Sequence, residues 1–123
     1  MPVQKLVSGK VFTICDWLKG GQGVVDSFLG TPGLKDAKRL RYILNRTAEE
    51  GRAGPDSSGP LEDALFEFRA PYGARVIYFY DAERVIVCAY ALVKKQNKMP
   101  RSAIEEAKAV RKQYFAERKL LND

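Results

Sequence analysis

Arg69 and Arg75 stand three residues on either side of Tyr72 in the run Leu65-Phe-Glu-Phe-Arg-Ala-Pro-Tyr-Gly-Ala-Arg-Val-Ile-Tyr-Phe-Tyr80. The residues on both flanks are β-prone, and Ala70-Pro-Tyr-Gly-Ala74 between them is turn-forming, so the segment reads as an antiparallel hairpin. Closed symmetrically about Tyr72, it sets the two arginines opposite each other with Cβ atoms about 5 Å apart. Like charges placed that way repel and require a compensating anion. A phosphate would serve, because a guanidinium binds its oxygens through two parallel hydrogen bonds. So would a carboxylate of the chain itself, Glu67 or Asp63, in which case the arginines are ordinary hairpin-edge charges and Tyr90 is simply core. The pattern alone leaves both readings open.

A second hairpin, closed symmetrically between Ala82 and Glu83, would bring Tyr90 beside Arg75 and put Lys94 on the same sheet face. A slip of one residue would send every one of these side chains to the other face. The strand then runs into Lys94-Lys95-Gln-Asn-Lys98-Met-Pro-Arg101, a loop with four cations in eight residues. The candidate site is therefore Arg69, Arg75, Tyr90 and Lys94, fed by Lys95, Lys98 and Arg101 and shaped for a phosphodiester.

The elements that must position these groups follow from periodicity. Val11 to Trp17 is a β-prone run stopped by Gly20-Gly21 and is read as the first strand. A short helix spans Val24 to Leu29. From Leu34 to Glu50, Ala37, Leu40, Leu44 and Ala48 recur at helical spacing, leaving Lys38, Arg39, Arg41 and Arg46 on a basic outer side. Residues 51 to 60 have turn-former composition throughout and are expected to be an exposed, mobile loop. The runs Ala64 to Arg69, Arg75 to Tyr80 and Val85 to Val93 are joined too tightly for parallel crossovers and form a meander. Ser102-Ala-Ile-Glu105 reads as a capping box opening a helix to about Leu120, with Ile104, Ala107, Val110 and Tyr114 on one face. The fold class is α+β.

With 123 residues the chain is expected to be one domain, 1 to 123. The net charge of +6 is uneven: residues 94 to 123 carry nine Lys/Arg against four acids, residues 55 to 93 three against six. Such asymmetry favours a polyanionic partner. Histidine is absent, which removes histidine general-base chemistry and Ser/His/Asp triads, and no paired-cysteine motif offers a zinc ligand set. Cys15 and Cys88 sit in apolar runs as small buried thiols. No apolar run reaches membrane-spanning length and the first ten residues lack a signal-peptide core, so a cytoplasmic protein with no membrane partner is expected.

Five pieces in order and register, Leu65-Phe-Glu-Phe-Arg69, Gly73-Ala-Arg75-Val-Ile-Tyr-Phe-Tyr-Asp81, Ala91-Leu-Val-Lys-Lys95, Lys98-Met-Pro100 and Ile104-Glu-Glu-Ala107, resemble the RelE/ParE superfamily of type II toxin–antitoxin toxins. The likeness is to its HigB-like, phage-associated branch and extends over about residues 10 to 118. Two departures are Ala91-Leu92, where aromatic or histidine residues are common, and the lack of Thr before Pro100. The resemblance implies a RelE-like microbial RNase-type fold: an N-terminal strand and a helical hairpin packed on a twisted antiparallel sheet, with a C-terminal helix. It implies a helix-turn-helix antitoxin as partner, and cleavage of mRNA on the ribosome as activity. It also admits two rivals, a ParE-like poison of DNA gyrase and an inactive prophage interaction or regulatory module.

RNA cleavage without a metal needs a base for the 2′-hydroxyl, positive charge on the transition state and an acid for the departing 5′-oxygen. Lys94 or Lys95 would be the base if neighbouring cations lower its pKa. Arg69 and Arg75 would stabilise charge, and Tyr90 or Tyr114 would donate a proton or stack on a base. No cofactor is implied. Cleavage is therefore expected to persist in excess chelator once ribosome integrity is controlled for. Loss of cleavage restored by manganese would contradict this.

Overall fold

Strand β6 (Ala74–Asp81) buries both of its faces: Ala74, Val76 and Tyr78 join one apolar cluster, Ile77 and Phe79 another. Strict alternation with both sets apolar means that this strand lies inside a sheet covered on each side. The computed structural model describes residues 2–82 and 84–122, the last three by backbone alone. Before β6 come β1 (Val3–Ser8), β2 (Thr13–Lys19), β3 (Gln22–Gly23), α1 (Val24–Leu29), α2 (Ala37–Glu50), β4 (Ser58–Pro60) and β5 (Phe66–Arg69). After it come β7 (Val85–Val93) and α3 (Arg101–Asn122). The strands form one sheet in the order β1-β2-β7-β6-β5-β4, with β3 paired to β2.

Helices α1 and α2 contribute Val25, Leu40, Ile43, Leu44 and Ala48 to the cluster on one face. Helix α3 covers the other, placing Ala103, Ile104, Ala107, Val110 and Tyr114 against Ile77, Phe79, Val87 and Trp17. The structure is thus the expected α+β, RelE-like arrangement of helices on a sheet with a C-terminal helix, and the meander β5-β6-β7 is present.

Four expectations need correction. Val11 to Trp17 is not the first strand: Val3–Ser8 precedes it and pairs antiparallel with β2. As an edge strand, β1 exposes Gln4, Lys5 and Ser8 and carries little of the apolar alternation that marks a half-buried strand. The sheet is not wholly antiparallel, because β2 and β7 pair in parallel. The long excursion through α1, α2 and the strands up to β6 supplies the crossover that a parallel pair needs. Residues 51–60 are not an exposed loop throughout. Ser57 is 6% exposed, and Ser58–Pro60 pairs with Phe66–Phe68 as an edge strand, where a proline without N–H is tolerated. Finally, α3 begins at Arg101, one residue ahead of Ser102, and the Pro100 carbonyl accepts the N–H groups of Ala103 and Ile104. Ser102 lies inside the first turn rather than capping it.

Two buried carboxylates tie the layers together. Asp16 on β2, fully buried, accepts the backbone N–H groups of Val25 (2.8 Å) and Asp26 (2.9 Å) and so satisfies the start of α1. Burial nonetheless pushes its pKa up, because desolvation outweighs those hydrogen bonds. Asp36, just before α2 and 2% exposed, accepts the N–H groups of Tyr72 (3.0 Å) and Ala74 (2.9 Å) across the β5–β6 turn. Gly73 between them takes φ +100°, and a Cβ there would lie 2.8 Å from the Lys94 carbonyl, so only glycine fits the turn.

Replacing Asp36 by Ala should cost about 2 to 4 kcal/mol, since it strips the acceptor from two backbone donors at once. Asp36→Asn, which keeps one oxygen, should cost less. Urea denaturation measures both; a loss under about 0.5 kcal/mol for the alanine variant would contradict the role.

Candidate nucleic-acid interface

Arg69 and Arg75 are register partners across β5 and β6, as symmetric closure about Tyr72 predicts. The anion between them belongs to the chain. Glu67, 7% exposed, lies 3.2 Å through Oε2 from Arg69 Nε and 3.5 Å through Oε1 from Arg75 Nε. Arg75 is further committed, donating through Nη1 to the carbonyls of Ala70 (3.0 Å) and Ala74 (2.9 Å). Glu67 Oε1 and Arg75 Nε, both buried, face each other at 3.5 Å without a hydrogen bond, so the pair is an ionic contact of imperfect geometry.

The guanidinium of Arg69 folds over β4. The guanidinium occupies the space that a Cβ on Gly59 would take. Beyond it opens a cleft of about 280 Å³ lined by Arg39, Asp56, Ser57, Arg69, Ala70, Pro71 and Arg75. Arg39 comes from the first turn of α2, three residues after Asp36, and its presence follows from the tie between Asp36 and the hairpin turn. By sequence alone Arg39 belongs to a solvated helix side and Asp56-Ser57 to a loop. No local pattern in either segment signals the cleft, because it forms where α2 meets the β5–β6 hairpin.

The remaining predicted residues are dispersed. Leu92, not Tyr90, stands opposite Arg75, and Tyr90 pairs with Ile77. Asp81 pairs with Val85, leaving a three-residue connection of 82 to 84 in which Arg84 takes φ +70°, and a bulge at Ala89 adds a further step. The symmetric closure expected at Ala82 and Glu83 involves Glu83, which lies outside the described residues. Tyr90 lines a separate cavity of about 400 Å³ with Trp17, Lys19 and residues of α1 and α3. Tyr114 is 3% exposed, donates its hydroxyl to Asp81 Oδ2 at 2.7 Å, and sits at the far end of β6 from Arg75. Burial and that carboxylate raise its pKa. As placed, it is a core residue rather than a surface for bases.

Lys94 stays at the arginine end of the sheet, its N–H bonded to the Gly73 carbonyl at 2.7 Å and its Nζ donating to the Asn97 carbonyl at 3.0 Å. Lys95 and Lys98 are exposed on the loop, and Lys98 borders a hollow shared with Glu62 and Arg101. Arg101 is engaged elsewhere: it makes a two-pronged contact with Glu62 (2.6 and 2.7 Å) and a third with Glu105 (2.9 Å). Lys108 reaches the same Glu62 at 2.6 Å and Asp63 at 2.9 Å. These ion pairs hold the start of α3 to the segment before β5. Among the described residues, no group of three or more His, Cys, Asp or Glu is placed to hold a metal ion.

Hydrogen bonds from Arg101 and Lys108 hold the Glu62 carboxyl down at about 2, against an ordinary 4.5. A lowered folded-state pKa means that its contribution to stability is fully present above about pH 4.5 and is lost as pH falls toward 2. Carboxyl-detected NMR should show this titration, and the difference in Tm between wild type and Glu62→Gln should shrink over that interval. A Glu62 titrating near 4.5 would contradict the clasp.

No helix among the described residues is long and apolar enough to cross a membrane. No curated protein matches the chain. The family model described as "Phage derived protein Gp49-like (DUF891)" matches residues 33–112, a span that starts just before α2 and ends in the middle of α3, so it contains Asp36, the arginine cleft and the basic loop. Covering more than half of the chain, this match shows that the protein belongs to the Gp49-like family, within the RelE/HigB-like toxin superfamily and associated with toxin–antitoxin systems.

Proposed function

We propose that this protein is a toxin of the HigB-like branch that cleaves mRNA on the ribosome without a metal and is held in check by a helix-turn-helix antitoxin. The observation that carries the reading is the cleft lined by Arg39, Arg69 and Arg75, three permanently charged groups from two layers around one space. Family membership supports a toxin role, and the absence of histidine confines proton transfer to lysine, tyrosine or carboxylate groups.

In this reading the scissile phosphodiester lies in the cleft, with Arg69 and Arg75 stabilising its extra negative charge in the transition state. The ribose 2′-oxygen gives its proton to Lys94 or Lys95 and attacks phosphorus. The bond to the 5′-oxygen breaks and that oxygen takes up a proton. The products are a 2′,3′-cyclic phosphate and a 5′-hydroxyl. Lys94 has to leave the Asn97 carbonyl to act. Lys98 extends the basic surface along the loop, while Arg101 contributes to it only by shaping the start of α3.

Arg75 is not a clean probe, because Arg75→Ala would also remove the second hydrogen bond from two carbonyls of the hairpin turn and half of the Glu67 contact. The loop lysines are better. Replacing Lys94 and Lys95 by Gln should slow cleavage on translating ribosomes by about a hundredfold or more, whereas Lys112→Gln with Lys119→Gln, equal in charge removed, should change it little. Mapping of mRNA 5′ ends reads both. Equal losses would make the loop part of a diffuse basic surface, and intact mRNA with inhibited gyrase would favour a ParE-like activity.

A further inference from the structure

We propose that Arg39 is the principal free cation of the cleft and that the cleft takes a singly charged phosphodiester in preference to a phosphomonoester; this rests on the nucleic-acid reading above and names its contact. The two arginines made prominent by the hairpin are largely occupied. Arg75 is spent on two backbone carbonyls and on Glu67, and Arg69 shares that same carboxylate. Arg39 differs. Among the described residues it meets no carboxylate within ion-pair distance, and its guanidinium rests only over the Tyr42 ring, 5.0 Å from the centroid. That contact is weak at an exposed site and leaves its edge donors available to a ligand.

Charge balance sets the class of ligand. Three guanidinium groups and the carboxylates of Glu67 and Asp56 meet at this cleft, leaving one formal positive charge. A diester carries one negative charge; a terminal monophosphate carries close to two near neutral pH. Asp56, likewise unpaired among the described residues, opposes the second charge. Ser57 on the same wall is polar and nearly buried, so the cleft floor is formed by β4 and its approach rather than by open solvent. Arg39 is held in place because Asp36, one turn away, is fixed to the hairpin turn.

The test uses the full chain, the dinucleoside monophosphate UpA as diester and uridine 3′-monophosphate as monoester, with binding followed through arginine Nε–H resonances. UpA should bind and shift Arg39. Arg39→Ala should weaken UpA binding about tenfold or more, and Arg39→Lys should fall between, lacking the planar fork. Arg41→Ala removes the same charge from the same helix at a different hollow, beside Leu29 and Asn45, and should leave binding unchanged. Asp56→Asn should narrow the preference for the diester. Equal losses from Arg39→Ala and Arg41→Ala, a wild-type preference for the monoester, or no UpA binding by wild type would each overturn the proposal. Binding of UpA by a protein that leaves ribosomal mRNA intact would refute the nuclease reading alone. Cleavage undiminished by Arg39→Ala would refute the role of Arg39 alone.

Discussion

The carboxylate of Asp36 is the constraint on which the functional end of the molecule depends. It sits where α2 begins, is almost wholly buried, and spends both oxygens on backbone donors of the β5–β6 turn. A buried charge survives only when it is paired or hydrogen-bonded, and here the donors belong to a different layer of the fold. Helix and hairpin therefore cannot move independently near this point. Arg39, one turn along α2, arrives beside Arg69 and Arg75 for that reason, and Gly73 can hold its left-handed conformation against the Lys94 carbonyl because the turn is clamped. Asp16 does the same work at the start of α1. In both cases a carboxylate outside a helix supplies what the first turn of that helix, or the turn beside it, lacks.

Charge on this protein is not the same thing as available charge. The C-terminal third is the most basic part of the chain, yet several of its cations are already paired: Arg101 and Lys108 with Glu62, Lys108 with Asp63, Arg118 with Asp81. Those pairs fasten α3 across the sheet. Exposed pairs of this kind add little stability singly, but two cations converging on Glu62 lower its pKa strongly. Among the described cations without a carboxylate partner are Lys94, Lys95 and Lys98 on the loop and Arg39 in the cleft, at the end of the sheet where Asp36 holds the layers together.

The two-faced sheet explains why this end can be specialised. Apolar side chains of β6 and β7 alternate between a cluster under α1 and α2 and a cluster under α3. Near Arg75, at the start of β6, that alternation gives way to charge, and Glu67 is the carboxylate that makes two arginines tolerable there. A cluster of like charges with one shared counter-ion sits at higher electrostatic potential than a neutralised one, and a phosphate lowers it.

Much of this was legible in the amino-acid order because it is local. The short helix Val24–Leu29, the strand Val85–Val93 and the opposition of Arg69 and Arg75 depend on turn chemistry and on periods of two or 3.6 residues, which neighbouring residues determine. The family resemblance is legible for the same reason, since its motifs lie in consecutive strands and loops. What tertiary structure decided is non-local. A bulge at Ala89 and a three-residue connection moved Tyr90 away from Arg75, and no local pattern announces a bulge. Val3–Ser8 is a strand because β2 offers it an edge, and Ser58–Pro60 because β5 does. Tyr114 reads equally well as an aromatic surface or as core, and the packing of α3 on the sheet, with the Tyr114 hydroxyl donating to the Asp81 carboxylate, made it core. Arg39 reads as one more cation on a solvated helix side, and only the approach of α2 to the hairpin, fixed by Asp36, made it part of the cleft.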